Sequence, residues 1–217
     1  MELHKIIEHT MLKPDTTLEG VRRLCEEALQ YKFYGVCVPP FFVKDAVRFL
    51  DEQAKVVTVV GFPMGYSTIP SKVEEIKRAL DEGGDEIDAV VNICAIKSGN
   101  WNYVKNEMDS MSRAVSLKGR IMKLIIETGL LTKDEMKQVL AIAEANDVDF
   151  IKTSTGFNAD GATVEVVKFL RENLNRKIKI KASGGIKSLE MTEKLIHAGA
   201  DRVGTSHGVQ IALQLVK

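Results

Sequence analysis

The sequence predicts a TIM-type (β/α)₈ barrel, and three observations carry that prediction. Short β-branched runs alternate with helical patterns along the whole chain. Repeated β-α units imply parallel strands joined by right-handed crossovers. The 217 residues suffice for eight such units in one domain, taken as 1–217. A doubly wound open sheet fits less well, because no GxGxxG follows any strand run.

Seven runs read as strands: "YGVCVPP", "KVVTVVGFP", "DEIDAVVNI", "IMKLIIETG", "VDFIKTSTG", "IKIKASGG" and "ADRVGTSHG". "HTMLKP", from residue 9, supplies a short eighth. Between them, "TLEGVRRLCEEALQYK", "IPSKVEEIKRALDEG", "TKDEMKQVLAIAEAN" and "SLEMTEKLIHAG" read as helices. The last three place apolar residues three and four apart, with Glu early and Lys or His late.

Composition narrows the function classes. Hydrophobic residues make up 45% and charged residues 28%, and 30 basic residues balance 30 acidic ones. Zero net charge gives no footprint for nucleic acid or an anionic membrane surface. Cys25, Cys37 and Cys94 form no CxxC pair, which argues against a disulfide framework and a zinc site. "MELHKIIEHT" carries charges and lacks the apolar core of a signal peptide. The longest uncharged stretch, "VVTVVGFPMGYSTIP", is broken by Gly and Pro and too short to span a bilayer. A reduced, cytoplasmic protein is expected.

Polar residues gather at the C-terminal ends of the strand runs, the face where such barrels place their active sites. In "EIDAVV", Ile87, Ala89 and Val91 form one wholly apolar face, so Asp88 points into the barrel. By the same alternation Lys152 shares a side with Phe150, and Lys181 with Lys179. Two lysines and an aspartate thus converge on one mouth. A strand-end lysine is often only a surface residue whose stem lies along the barrel; Lys179, early in its run, is read that way. Glu127 is read as an orienting residue. Two neighbouring ammonium groups disfavour each other's charge, and a neutral amine is what attack on a carbonyl requires. "ASGGI" after Lys181 and "GTSHG" at 204–208 are Gly-rich turns of the kind that cradle phosphate, in the position where barrels often bind one. The residues therefore point to a phosphorylated carbonyl compound handled through a lysine imine. A catalytically silent sugar-phosphate binder is the alternative of another class.

The blocks "HTMLKP", "VCVPPFFV", "VVTVVGFPMG", "DEIDAVVNI", "KSGNW", "IIETGLLT", "DFIKTSTGF", "ATVEVV", "KASGGI" and "RVGTSHG" occur in this order over nearly the whole chain. Together they resemble the deoxyribose-phosphate aldolases, a family of class I aldolases. The resemblance implies that Lys152 forms the Schiff base, that Lys181 keeps it reactive and that Asp88 belongs to a proton relay. It assigns substrate phosphate to Gly184, Gly185, Gly204 and Ser206, and places Thr10, Cys37 and Thr153 at the pocket, although Cys37 is not required by the reaction and reads on its own as a small core residue. It implies a small phosphorylated aldose and acetaldehyde as reactants, no metal or other cofactor, and a homodimer or homotetramer. Three positions depart from the family pattern: Glu8 in place of Asp, Pro39 in place of Asn and His207 in place of Ser.

Overall fold

The structure is a computed structural model that describes residues 2–215; Met1, Val216 and Lys217 of the expected domain lie outside the described residues. Eight parallel strands close into a barrel in sequence order. They are β1 (Ile7–Thr10), β2 (Gly35–Val38), β3 (Lys55–Val60), β4 (Glu86–Val90), β5 (Ile121–Ile125), β6 (Phe150–Lys152), β7 (Lys179–Ser183) and β8 (Arg202–Thr205). All eight expected strands are present. The first begins earlier than "HTMLKP" and keeps only His9 and Thr10 of that block; Met11 N–H still donates to the Cys37 carbonyl, and the chain turns at Pro14 and Asp15.

The helices are α1 (Leu18–Gln30), α2 (Val43–Leu50), α3 (Ile69–Asp81), α4 (Ile93–Lys97), α5 (Trp101–Ser116), α6 (Lys133–Ala145), α7 (Val164–Asn173), α8 (Leu189–His197) and α9 (Gly208–Leu215). Their starts follow from local chemistry. The side chains of Thr17, Thr163 and Ser188 accept hydrogen bonds from backbone N–H groups three residues on, satisfying donors that a helix leaves unpaired. Thr132 and Glu135 form a reciprocal capping box at α6. No helix among the described residues is long and apolar enough to cross a membrane.

The main apolar core lies between strands and helices rather than inside the barrel. Outward-facing Ile87, Ala89, Leu124, Ile151 and Ile180 are fully buried there. The α5 face formed by Val104, Met108, Met111 and Val115 packs into the same core. Each such side chain stabilises the fold by about 1.5–3 kcal/mol. Truncating one, as in Met108→Ala, costs about 2–5 kcal/mol through lost burial and the cavity left behind. This two-sided burial leaves the barrel interior free for other side chains.

Candidate active site

Strand register sets which residues meet inside the barrel. Cα partners on adjacent parallel strands put their side chains on the same side. Asp88 is level with Lys123, Lys152 with Lys181, and Lys181 with Arg202. The result is a buried charge cluster in which Glu8, Glu86 and Asp88 meet four basic side chains. Lys152 Nζ and Lys181 Nζ both donate to Oδ2 of Asp88, at 2.8 and 2.6 Å. Lys123 Nζ donates to Oδ1 of the same carboxylate at 2.9 Å. Lys181 also bonds Glu8, and Arg202 bridges Glu8 and Glu86. Below them Tyr34 donates to Glu86.

These contacts decide the charge states. Burial opposes ionisation of Asp88, yet Lys123, Lys152 and Lys181 hold its carboxyl well below the usual range. Burial likewise opposes charge on Lys181, but Asp88 and Glu8 outweigh it and hold the ammonium above the ordinary lysine range. The mutual disfavouring of charge expected from two neighbouring lysines is therefore overturned for Lys181. Carboxylates sit closer to it than the sequence reading allowed for, and Lys181 is a fixed cation.

Above the cluster lies a cavity of about 840 Å³ at the C-terminal ends of the strands. Lys152 reaches its wall, as do Gly184, Gly185, Gly204, Ser206 and His207. Thr10 lines it too, with its hydroxyl donating to the Glu8 carbonyl. Gly184 and Gly185 take positive φ of 88° and 74°, which opens this turn in a way side chains resist. Gly204 has a second reason to lack a side chain: a Cβ there would lie 2.9 Å from Lys181 Cε. Ser206 Oγ and His207 Nδ1 are 3.2 Å apart, so the departing histidine is tied to its neighbour at the rim.

Two of the expected pocket residues lie off the cavity wall, Thr153 and Cys37, the second in agreement with its reading as a small core residue. Thr153 does not line the cavity; its hydroxyl donates to the Ser183 carbonyl and accepts from the Ser183 N–H, joining β6 to β7. Cys37 is fully buried inside the barrel with Val57 and Val59, below the cavity. Burial pushes its thiol up to about 11, so it is protonated at neutral pH and a poor nucleophile. Asp88 and Lys181 also lie beneath the cavity wall, Asp88 bonded to Lys152 and Lys181 packed under Gly204. Lys179 is exposed, as read from its position in the strand. Glu127 is fully buried and accepts from Thr155 N–H, Thr155 Oγ1 and Asn158 Nδ2, which ties down the loop after β6.

The sequence reading missed Lys123, Glu86 and Arg202, and treated Glu8 only as a departure. A signal for Lys123 existed. In "IMKLI", Met122 and Leu124 form the outward apolar face, which sends Lys123 inward by the logic applied to Asp88. Arg202 and Glu86 stand first in their strands, where a charge reads as an ordinary solvated end.

Fold and site together define a (β/α)₈ barrel whose reactive face offers a lysine amine, backed by a buried carboxylate, to a ligand in the cavity. The chain belongs to the DeoC/LacD family of aldolases, whose model matches residues 5–214. It is 44% identical over 214 residues to the deoxyribose-phosphate aldolase of Thermococcus gammatolerans, covering 97% of this chain and 95% of that one. The deoxyribose-phosphate aldolase of Caldanaerobacter subterraneus is 46% identical over 213 residues, covering 97% and 92%. Among solved structures, the tetrameric deoxyribose phosphate aldolase of Aeropyrum pernix superposes with a TM-score of 0.93 at 28% identity, covering 99% of this chain and 91% of that one.

Proposed function

We propose that the protein is a class I aldolase that reversibly cleaves 2-deoxy-D-ribose 5-phosphate to acetaldehyde and D-glyceraldehyde 3-phosphate, in deoxynucleoside catabolism. The observation that carries this reading is Lys152, whose amine lines the cavity while bonded to Asp88 Oδ2. Family membership and the names of the relatives supply the substrate.

Lys152 gives up a proton to water in the cavity it lines, and Asp88, held ionised beside three lysines, stabilises across their 2.8 Å hydrogen bond the positive charge that returns to this nitrogen in the iminium. The free amine attacks C1, and the carbinolamine loses water to give an iminium, an electron sink. A base removes the C3 hydroxyl proton as the C2–C3 bond opens, which releases glyceraldehyde 3-phosphate. The enamine left on Lys152 is protonated at C2. Water then hydrolyses the iminium, freeing acetaldehyde and the amine. The Lys181 cation holds the negative charge of Asp88 in place during these steps. Phosphate rests on the turns containing Gly184 and Gly185 and on Gly204 and Ser206, all of which line the cavity. A cytoplasmic homodimer or homotetramer is part of this reading; the Aeropyrum pernix relative is a tetramer.

Incubation with deoxyribose 5-phosphate and borohydride, followed by peptide mass spectrometry, tests it. One adduct on Lys152 is expected. An adduct on Lys181 instead would exchange the two roles. Absence of both adduct and acetaldehyde would leave the silent-binder reading standing.

A further inference from the structure

Asp88 has two oxygens, and they are not equivalent. Oδ2 faces both Lys152 and Lys181, whereas Lys123 holds Oδ1. An ammonium has three donors. Those of Lys123 meet three carboxylates: Glu86 at 2.5 Å, Asp88 at 2.9 Å and, more loosely, Glu8 at 3.4 Å. Lys123 is fully buried and does not line the cavity. It therefore cannot touch a substrate, yet it bonds the carboxylate that serves Lys152.

We propose that Lys123 is a positioning residue for the Schiff-base chemistry of Lys152: it anchors Oδ1 of Asp88 so that Oδ2 stays aimed at Lys152. Without Lys123, the two cations on Oδ2 leave Oδ1 unheld, so the carboxylate can tilt about its Cβ–Cγ bond toward the closer Lys181 and away from Lys152, and reaction geometry displaced by about 1 Å can cost on the order of 100-fold in rate. With Lys123 in place, turning the group breaks a charge-assisted bond, so the oxygen that faces Lys152 is fixed. Lys123 is also level with Asp88 across the β4–β5 ladder, so the backbone itself sets their approach. The inference rests on the aldolase reading above.

The test compares two double variants that carry the same charges. Lys123→Met/Glu86→Gln removes one cation and one anion from the cluster together with the donor to Oδ1. Lys123→Gln/Glu86→Gln makes the same charge change but keeps an amide N–H able to donate to Asp88. Both are assayed for kcat, KM and borohydride trapping on Lys152, with circular dichroism to establish folding. The Met variant is expected to lose about 100-fold in kcat with KM within about threefold of the parent. The Gln variant should recover about tenfold of that loss. Equal kcat values in two folded variants would overturn the proposal, since a merely structural role does not distinguish them. If the Met variant does not fold, the Gln variant decides: turnover above about a tenth of the parent supports the anchor, and a loss beyond about 100-fold rejects it. A parent without aldolase activity would instead sink the functional reading, so the two failures are separable.

Discussion

Lys152 and Lys181 donate to the same oxygen of one buried aspartate, Asp88 Oδ2. Only Lys152 of the two reaches the cavity. The pair is thus divided by depth: Lys152 lines the cavity, and Lys181 lies beneath it between Asp88 and Glu8.

Lys181→Leu should lower kcat strongly and also lower stability. Lys181 is fully buried between Asp88 and Glu8. Removing one member of a buried ion pair leaves charge uncompensated and costs about 3–5 kcal/mol. The double variant Lys181→Leu/Glu8→Leu should regain part of that stability but not the activity. Urea denaturation alongside turnover checks both; normal turnover in the single variant would make Lys181 structural only.

Asp88→Asn should slow turnover by about 10²–10⁴ with little change in KM. Asn keeps the shape but removes the negative charge that faces the Lys152 nitrogen. A defect confined to KM would assign Asp88 to substrate binding.

Stability should fall on the acid side more steeply than an ordinary surface would give. The folded values of Asp88 and Glu8 are depressed, against burial, by Lys123 together with the other cluster cations. Their contribution is complete above the unfolded carboxylate values near 4 and is lost as pH falls through the lower folded ones. The raised folded value of Lys181 acts in the opposite sense: its contribution is complete below about 10.4 and disappears as pH rises beyond it. Unfolding free energies measured from about pH 5 down to about pH 2 should show a shallower limb in Asp88→Asn than in the parent. Parallel limbs would place the acid sensitivity elsewhere.

Lys72 is a further fully buried lysine, outside the cavity wall. Its Nζ donates to Gly65 and Val90 carbonyls and to Glu107 at 2.7 Å. Burial pushes Lys72 down and Glu107 up, each toward its neutral form. Lys72→Met should destabilise by about 3–5 kcal/mol, and Lys72→Met/Glu107→Leu by much less, with kcat near the parent's in the double variant. Equal destabilisation would show that the bonds to the two carbonyls, not the pair, matter.

His207→Ser bears on phosphate. His207 lines the cavity beside Ser206. If its ring serves the phosphate, the substitution raises KM for deoxyribose 5-phosphate and leaves KM for deoxyribose unchanged. Equal effects on the two sugars would reject the contact.

The barrel was legible because strand and helix periodicities are local. Each run of "VVTVV" or "LIIE" type states its own period, and alternation alone sends Asp88, Lys152 and Lys181 inward. Depth was not legible in the same way. Thr153 and Ser206 both follow strands in "KTSTG" and "GTSHG", yet one joins β6 to β7 and the other lines the cavity. That difference depends on where neighbouring loops run, and no period within either segment encodes it.

The sequence by itself determined the parallel barrel, the face that bears the polar residues and the inward direction of Asp88, Lys152 and Lys181, because these follow from periods of two and 3.6 residues. Only the tertiary structure decided which charges neutralise which. Glu8 and Lys181 are 173 positions apart, and Glu8 and Arg202 are 194 apart. They meet because β8 closes on β1, bringing Glu8 level with Gly204. Closure of the barrel thus made Lys181 a fixed cation, since Coulomb energy depends on separation in space rather than along the chain.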